Sequence, residues 1–239
     1  MPGIGEAGQR RLAAARVVVL GAGGLGFPVL SYLGAAGVGA VVIVDRDTVE
    51  PSNLNRQCLF GESDVGLPKA VAAARRLATL NSEVRWEPVE AALSPDLAGR
   101  LLANADLAVD CADNWPARAD LAAAAWRAGI PLIHGAVASF EGTVAWFEPP
   151  TGPCFRCLYP EAPANEGPTP VLGAVAGVVG SLMAAEAVRA LCGIGGRHPG
   201  TLLLLDVERN SFDRVRAAVR PGCPLCGGPA AGGAPPSAR

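Results

Sequence analysis

The feature that most constrains this chain is a glycine cluster, Gly21-Ala-Gly23-Gly24-Leu25-Gly26, set between the apolar run 16–20 and a helix-like stretch at 27–37. A G-x-G-x-x-G sequence at a strand-to-helix junction permits a tight turn and lets backbone amides approach phosphate. A second apolar run, 40–44, ends at Asp45. Together these segments predict a βαβ unit of about 30 residues with a carboxylate at the tip of its second strand. Taken alone, they fit an NAD(P)-dependent oxidoreductase equally well, because such enzymes use the same loop and a similar carboxylate on a ribose hydroxyl.

The pattern continues along the chain. Strand-like runs at 84–89, 106–110 and 131–136 alternate with helix-like segments at 69–80, 95–103 and 116–129, and that alternation predicts a parallel sheet. After Gly142 the pattern changes to a strand at 143–147, a Pro-rich stretch, an apolar helix after Val171, and strands at 201–206 and 211–219. The expected fold class is therefore α/β: a Rossmann-like, doubly wound, mostly parallel sheet that continues into a mixed or antiparallel C-terminal half. We read 1–226 as one domain, with a nucleotide-binding half at about 16–142 and a second half at about 143–226. Residues 227–239 are almost entirely Gly, Pro, Ala and Ser and read as a disordered tail.

Composition narrows the function. Lys+Arg 20 against Asp+Glu 22 gives a net charge of -2, which excludes a basic footprint for nucleic acid. The apolar run 171–185 is shorter than the ~20 residues of a membrane span and is followed by Glu186 and Arg189, so it reads as a buried helix. Seven cysteines, an odd number, with no signal-peptide pattern point to a reducing, cytoplasmic setting. Cys154-Phe-Arg-Cys157 and Cys223-Pro-Leu-Cys226 are two C-x-x-C pairs, a ligand set suited to a closed tetrahedral structural Zn²⁺ site. A redox dithiol is the alternative for either pair.

The stretch beyond Asp45 separates the nucleotide readings. Asp47, Ser52-Asn53-Leu54-x-Arg56-Gln57 and Lys69 supply more phosphate-binding groups than hydride transfer uses. With the glycine loop, Asp110-x-x-Asp113-Asn114 and the two C-x-x-C pairs, the chain resembles the ubiquitin-activating-enzyme-like ThiF/MoeB/HesA family from about Gly5 to Cys226, and its MoeB-type branch in particular.

The resemblance implies an ATP-dependent adenylyltransferase. It would activate the C-terminal Gly-Gly carboxylate of a ubiquitin-like sulfur carrier of the ThiS or MoaD type, for thiamine, molybdopterin or tRNA thiolation. Gly21, Gly23, Gly24 and Asp45 would seat ATP, with Asp45 on the ribose. Asn53, Arg56 and Lys69 would meet the phosphates, Arg56 as a fork and Lys69 as a point charge. Asp113, with Asn114 beside it, would hold Mg²⁺, although Asp113 also fits as the N-cap of the helix opening near Pro116. The half beyond Gly142 would receive the carrier, and a homodimer is implied, with neither nucleic acid nor membrane as partner. A module that binds ATP and carrier without turnover remains open, as does a tRNA-modifying dehydratase branch, which the low positive charge disfavours.

Two departures from the family pattern matter. Some members carry a nucleophilic Cys just before the Val-Leu-Gly that is here Val171-Leu172-Gly173, and the segment 164–170 has none. No covalent thioester or persulfide is expected there, and Cys58, Cys111 and Cys192 read as small buried hydrophobes. The family's N-terminal arginine helix also lies upstream of where this sequence starts, and Arg10 and Arg11 do not substitute for it. His134 and His198 read as structural residues without the partners of a triad.

Overall fold

Residues 17–20 and 40–44 are apolar without polar alternation, as strands covered on both faces require. In the computed structural model, which describes residues 3–161, 170–195 and 198–227, they lie in β1 (Arg16–Leu20) and β2 (Ala40–Val44), paired in parallel. The other strands are β3 (Arg85–Val89), β4 (Leu107–Asp110), β5 (Leu132–Ala138), β6 (Glu141–Phe147), β7 (Thr201–Asp206) and β8 (Ser211–Arg216). All eight form one sheet in the order β3-β2-β1-β4-β5-β6-β7-β8. The first five strands run parallel, and β6, β7 and β8 add antiparallel neighbours, as the change of pattern after Gly142 anticipates.

The helices are α1 (Gly5–Ala14), α2 (Gly26–Ala36), α3 (Lys69–Leu80), α4 (Pro95–Leu102), α5 (Trp115–Ala128), the short α6 (Phe155–Leu158) and α7 (Gly173–Cys192). Alternate strand residues face opposite layers. Val17, Val19, Val41 and Ile43 pack with α1, α2, α3 and α7, while Val18, Leu20, Val42 and Val44 pack with α4, α5 and α6. Both faces of the parallel region are therefore covered, as a doubly wound sheet requires. α1 is an element that the sequence pattern did not mark.

α7 corrects one expectation. It runs 20 residues, long and apolar enough by those measures to cross a membrane, yet Val175, Val179 and Met183 are buried in the sheet-covering core. Its other side is open: Val178 is 42% exposed. It is a core helix with one apolar face left uncovered rather than a buried helix. The expectations for the crossover 164–169 and for the tail beyond Gly227 lie outside the described residues.

Candidate nucleotide site

The strand order reverses at β1, which leads to β2 and β3 on one side and to β4 and β5 on the other. At such a switch point the loops leaving the two central strands diverge and open a crevice at the carboxyl ends. Leu20 is in register with Val44 and Asp110, and Asp110 with His134. The loops after β1, β2 and β4 therefore leave the sheet at one level, carrying the glycine cluster, Asp45 and Asp113.

Packing holds the glycine loop closed. Gly21 has φ +94°, and a Cβ on Gly26 would fall 2.1 Å from the Gly21 carbonyl oxygen, so backbone crosses backbone where no side chain fits. Asp45 ties this loop to β2: its Oδ2 accepts the Ala22 amide at 2.8 Å and its Oδ1 the Asp47 amide at 2.9 Å. Burial raises the Asp45 carboxyl above its ordinary range, against those two amides and the Lys69 charge.

Several residues expected to meet phosphate also have local partners. Asn53 is buried and its Oδ1 accepts the Glu50 amide at 3.1 Å, building the 3₁₀ turn Pro51–Asn53. Arg56 donates from Nη1 to the Ser52 carbonyl and to Asn55 Oδ1, both at 3.1 Å. Gly173, the first residue of α7, packs against Asn55 and Arg56. Lys69 opens α3 with its Nζ 3.2 Å from Asp47 Oδ2. Gln57, a motif residue to which the sequence assigned no role, lies beside Gly23, and its buried Oε1 has no hydrogen-bond partner among the described residues. A stranded buried acceptor is costly, and this one adjoins the glycine loop.

The alternative for Asp113 is settled by the helix start. Asn114 caps α5, its Oδ1 accepting the Ala117 amide at 3.1 Å. Asp113 is exposed one residue earlier, in the loop that follows β4, and among the described residues its Oδ1 accepts only a long 3.5 Å contact from Asn114 Nδ2. Its carboxylate is an oxygen donor of the kind Mg²⁺ takes.

Sequence reasoning missed a buried cluster beneath this loop. Asp110 and His134 are wholly buried and Arg118 is 7% exposed. His134 Nδ1 lies 2.7 Å from Asp110 Oδ2, and its Nε2 lies 3.4 Å from Arg118 Nη1. His134 therefore has a carboxylate and a guanidinium as its polar partners, neither of which is a nucleophile. Burial and the Arg118 charge outweigh Asp110 and lower the imidazole pKa. The signal was the pairing of β4 with β5, which no local motif reports.

The remaining cysteines divide by burial. Cys111 is buried and its thiol is pushed well above the ordinary range by desolvation and Asp110. Cys192 is also buried, whereas Cys58 is exposed, correcting the expectation for that residue. Arg11 donates to the Cys192 carbonyl at 2.6 Å. That is the far end of α7 from Arg56, about 30 Å along a 20-residue helix, so Arg11 serves the fold rather than this chain's own crevice.

Cys154, Cys157, Cys223 and Cys226 converge, with all four Sγ atoms within 4.8 Å of one another. Contacts of 3.8, 3.5 and 3.4 Å link Cys154–Cys157, Cys154–Cys223 and Cys157–Cys226, close to the ~3.8 Å edge of a tetrahedral thiolate zinc site. Burial pushes the Cys223 thiol up, but the amides of Cys226 and Leu225 outweigh it and bring it to about 6. The cluster is compatible with a zinc site, and its convergence argues against two independent dithiols.

A doubly wound sheet with a closed glycine loop, a carboxylate after β2 and cationic groups around its switch point defines a nucleotide-binding α/β protein. The chain matches the ThiF family over residues 1–225, and it belongs to that family. It is 48% identical to the sulfur carrier protein adenylyltransferase of Thermus thermophilus, covering 95% of this chain and 88% of that protein. Identity to the SAMP-activating enzyme E1 of Haloferax volcanii is 45%, covering 95% and 86% respectively. Against the adenylyltransferase and sulfurtransferase MOCS3 of Bos taurus it is 44%, covering 95% of this chain and 51% of that one, so the chain spans about half of MOCS3. Among solved structures, Escherichia coli MccB in complex with MccA-N7isoASN shares the fold, with TM-score 0.84 at 24% identity over 93% of this chain and 70% of that one.

Proposed function

We propose that this protein is an ATP-dependent adenylyltransferase that activates the C-terminal glycine carboxylate of a ubiquitin-like sulfur carrier. The observation that carries the reading is the pairing of a closed glycine loop after β1 with an Asp113 carboxylate after β4 that Asn114 relieves of capping. The named activities of the Thermus and Haloferax relatives support the same reaction.

In that reaction a terminal carboxylate oxygen of the carrier bonds to the α-phosphorus of ATP. The bond from the α-phosphorus to the bridging oxygen breaks, and pyrophosphate leaves with the electron pair, giving the acyl-adenylate. Two anions meet, so the protein must supply positive charge and donors placed in advance. The Gly21 and Ala22 amides already bond the Val44 carbonyl and Asp45, so the amides of Gly23 and Gly24 are the ones the loop offers to phosphate, and Asp45 offers its second lone pairs to the ribose. Arg56 and Lys69 exchange their present partners for phosphate oxygens, while Asn53 holds the turn that presents Arg56 and Asn114 holds the helix start behind Asp113. Asp113 would hold Mg²⁺, whose chemistry there would be to neutralise charge at the phosphates.

The four cysteines hold zinc as a fold-stabilising ion, tying the segment after β6 to the segment after β8. The antiparallel half receives the carrier; Phe140, Val207 and Phe212 are 46%, 44% and 64% exposed there. A groove of about 690 Å³ between α2 and α7, lined by Phe27, Tyr32, Val178 and Leu182, is the contact face of a homodimer. We place the enzyme in the cytoplasm and treat 1–226 as one adenylation unit.

ATP–pyrophosphate exchange with Mg²⁺, with and without a Gly-Gly-ended carrier and repeated with Asp113→Ala, tests the proposal. Carrier-dependent exchange abolished by the substitution is expected. ATP binding without exchange would make the protein a binding module.

A further inference from the structure

The reading above leaves the Asp110–His134–Arg118 cluster unused. Its hydrogen bonds specify one proton arrangement. A guanidinium is only a donor, so His134 Nε2, facing Arg118 Nη1, must be the acceptor, and the imidazole proton sits on Nδ1 and is donated to Asp110 Oδ2. A protonated imidazolium would set two cationic donors against each other with no acceptor between them.

The same side chains grip both backbone polar groups of one residue, Ala112. Asp110 Oδ1 accepts the Ala112 amide at 3.0 Å, and Arg118 Nη2 donates to the Ala112 carbonyl. Arg118 Nη1 also donates to the Gly135 carbonyl at 3.2 Å. Ala112 immediately precedes Asp113, so the backbone that aims Asp113 is clamped to β5. Around the clamp, Trp115 lies under Arg118 with the guanidinium carbon 5.5 Å from the ring centroid. Phe155 and Tyr159 close over His134 at 5.2 and 5.4 Å. Tyr159 and Cys111 are the other titratable groups adjoining the cluster. Buried ionic clusters contribute little net stability compared with apolar packing, and this one sits directly behind the carboxylate assigned to the cation.

We propose that Arg118, docked on a neutral, Nδ1-protonated His134, is a positioning residue that sets the Asp113 carboxylate for the divalent cation of the nucleotide. The inference rests on the reading of Asp113 given above. Arg118→Lys is the informative variant, because one ammonium cannot span the Ala112 carbonyl, the Gly135 carbonyl and His134 Nε2 together.

The test uses the full chain with Mn²⁺ and a non-hydrolysable ATP analogue. Folded Arg118→Lys should raise the Mn²⁺ concentration for half-saturation by about 10–100-fold, with KM for Mg²⁺ in exchange rising in step and kcat at saturating Mg²⁺ little changed. Should Arg118→Lys fail to fold, His134→Asn, which keeps a donor for Asp110 but removes the acceptor for Arg118, should shift the Mn²⁺ titration in the same direction. On the wild type, ¹⁵N NMR of the imidazole should show the Nδ1-protonated tautomer of His134, with His198 assigned by its own substitution. An unshifted Mn²⁺ titration in a folded variant, or an Nε2-protonated or charged His134, overturns the inference. If the titrations behave as expected but carrier-dependent exchange is absent, the adenylation reading fails and the positioning role stands. If Asp113→Ala leaves the Mn²⁺ titration unchanged, the positioning role fails.

Discussion

Asn114 caps α5 through the Ala117 amide, and its neighbour Asp113 is thereby left outside the helix with its carboxylate exposed. Adjacent residues thus divide two tasks that either could chemically perform. Asn114→Ala should cost about 1 kcal/mol of stability, whereas Asp113→Ala should leave the melting temperature nearly unchanged and abolish Mg²⁺-dependent exchange. Thermal unfolding beside exchange assays checks the pair; equal destabilisation by both would refute the division.

Gly26→Ala should open the nucleotide loop, because its Cβ would meet backbone at Gly21 rather than a side chain that can swing away. Overpacking of this kind costs about 1–3 kcal/mol, and at about 1.4 kcal/mol per tenfold nucleotide affinity should fall about tenfold or more. Equilibrium titration with a fluorescent ATP analogue measures it.

Asp64 should contribute to stability with a defined pH window. Burial by itself raises its carboxyl pKa, but the Gly61 amide, Arg76 and Arg75 outweigh burial and hold it below the ordinary value. Both arginines pair with it at 2.5–2.6 Å, Arg75 while largely in solvent and Arg76 while half-buried. With the folded value depressed, the stabilisation is present above the unfolded value of about 3.9 and is lost as pH falls through the folded one. Asp64→Asn should lose about 2–3 kcal/mol near neutrality, and the gap to wild type should close in acid. Urea unfolding near pH 7 and near pH 3 reads both arms.

Elemental analysis should find one zinc per chain, lost in Cys223→Ser. Removal should lower stability by about 4 kcal/mol where free zinc stands ~1,000-fold above its dissociation constant, and re-added zinc should restore the wild type alone.

Val178→Glu should separate a dimer formed through the α2–α7 groove, since it sets a charge in an apolar face. Sedimentation should then report the 24.2 kDa protomer, with its fold intact by circular dichroism. A wild type already monomeric would refute the dimer.

How much of the fold is legible locally follows from the range of the forces involved. Val17–Val19 and Val41–Ile43 announce buried strands by unbroken apolarity, and the glycine loop between them announces a tight turn, because both signals depend on residues close along the chain. The carboxylate-bearing turn after β4, the polar and cationic stretch from Asp45 to Lys69 and the two C-x-x-C pairs are legible for the same reason. The tertiary structure alone decided that Asn114 rather than Asp113 caps α5, that Cys58 is exposed while Cys111 is buried, that α7 leaves one side open, and that His134 meets Asp110 and Arg118. Each of these depends on which strand or helix comes to lie beside which, and β4–β5 pairing joins residues whose hydrogen bonds leave no periodic trace in the chain.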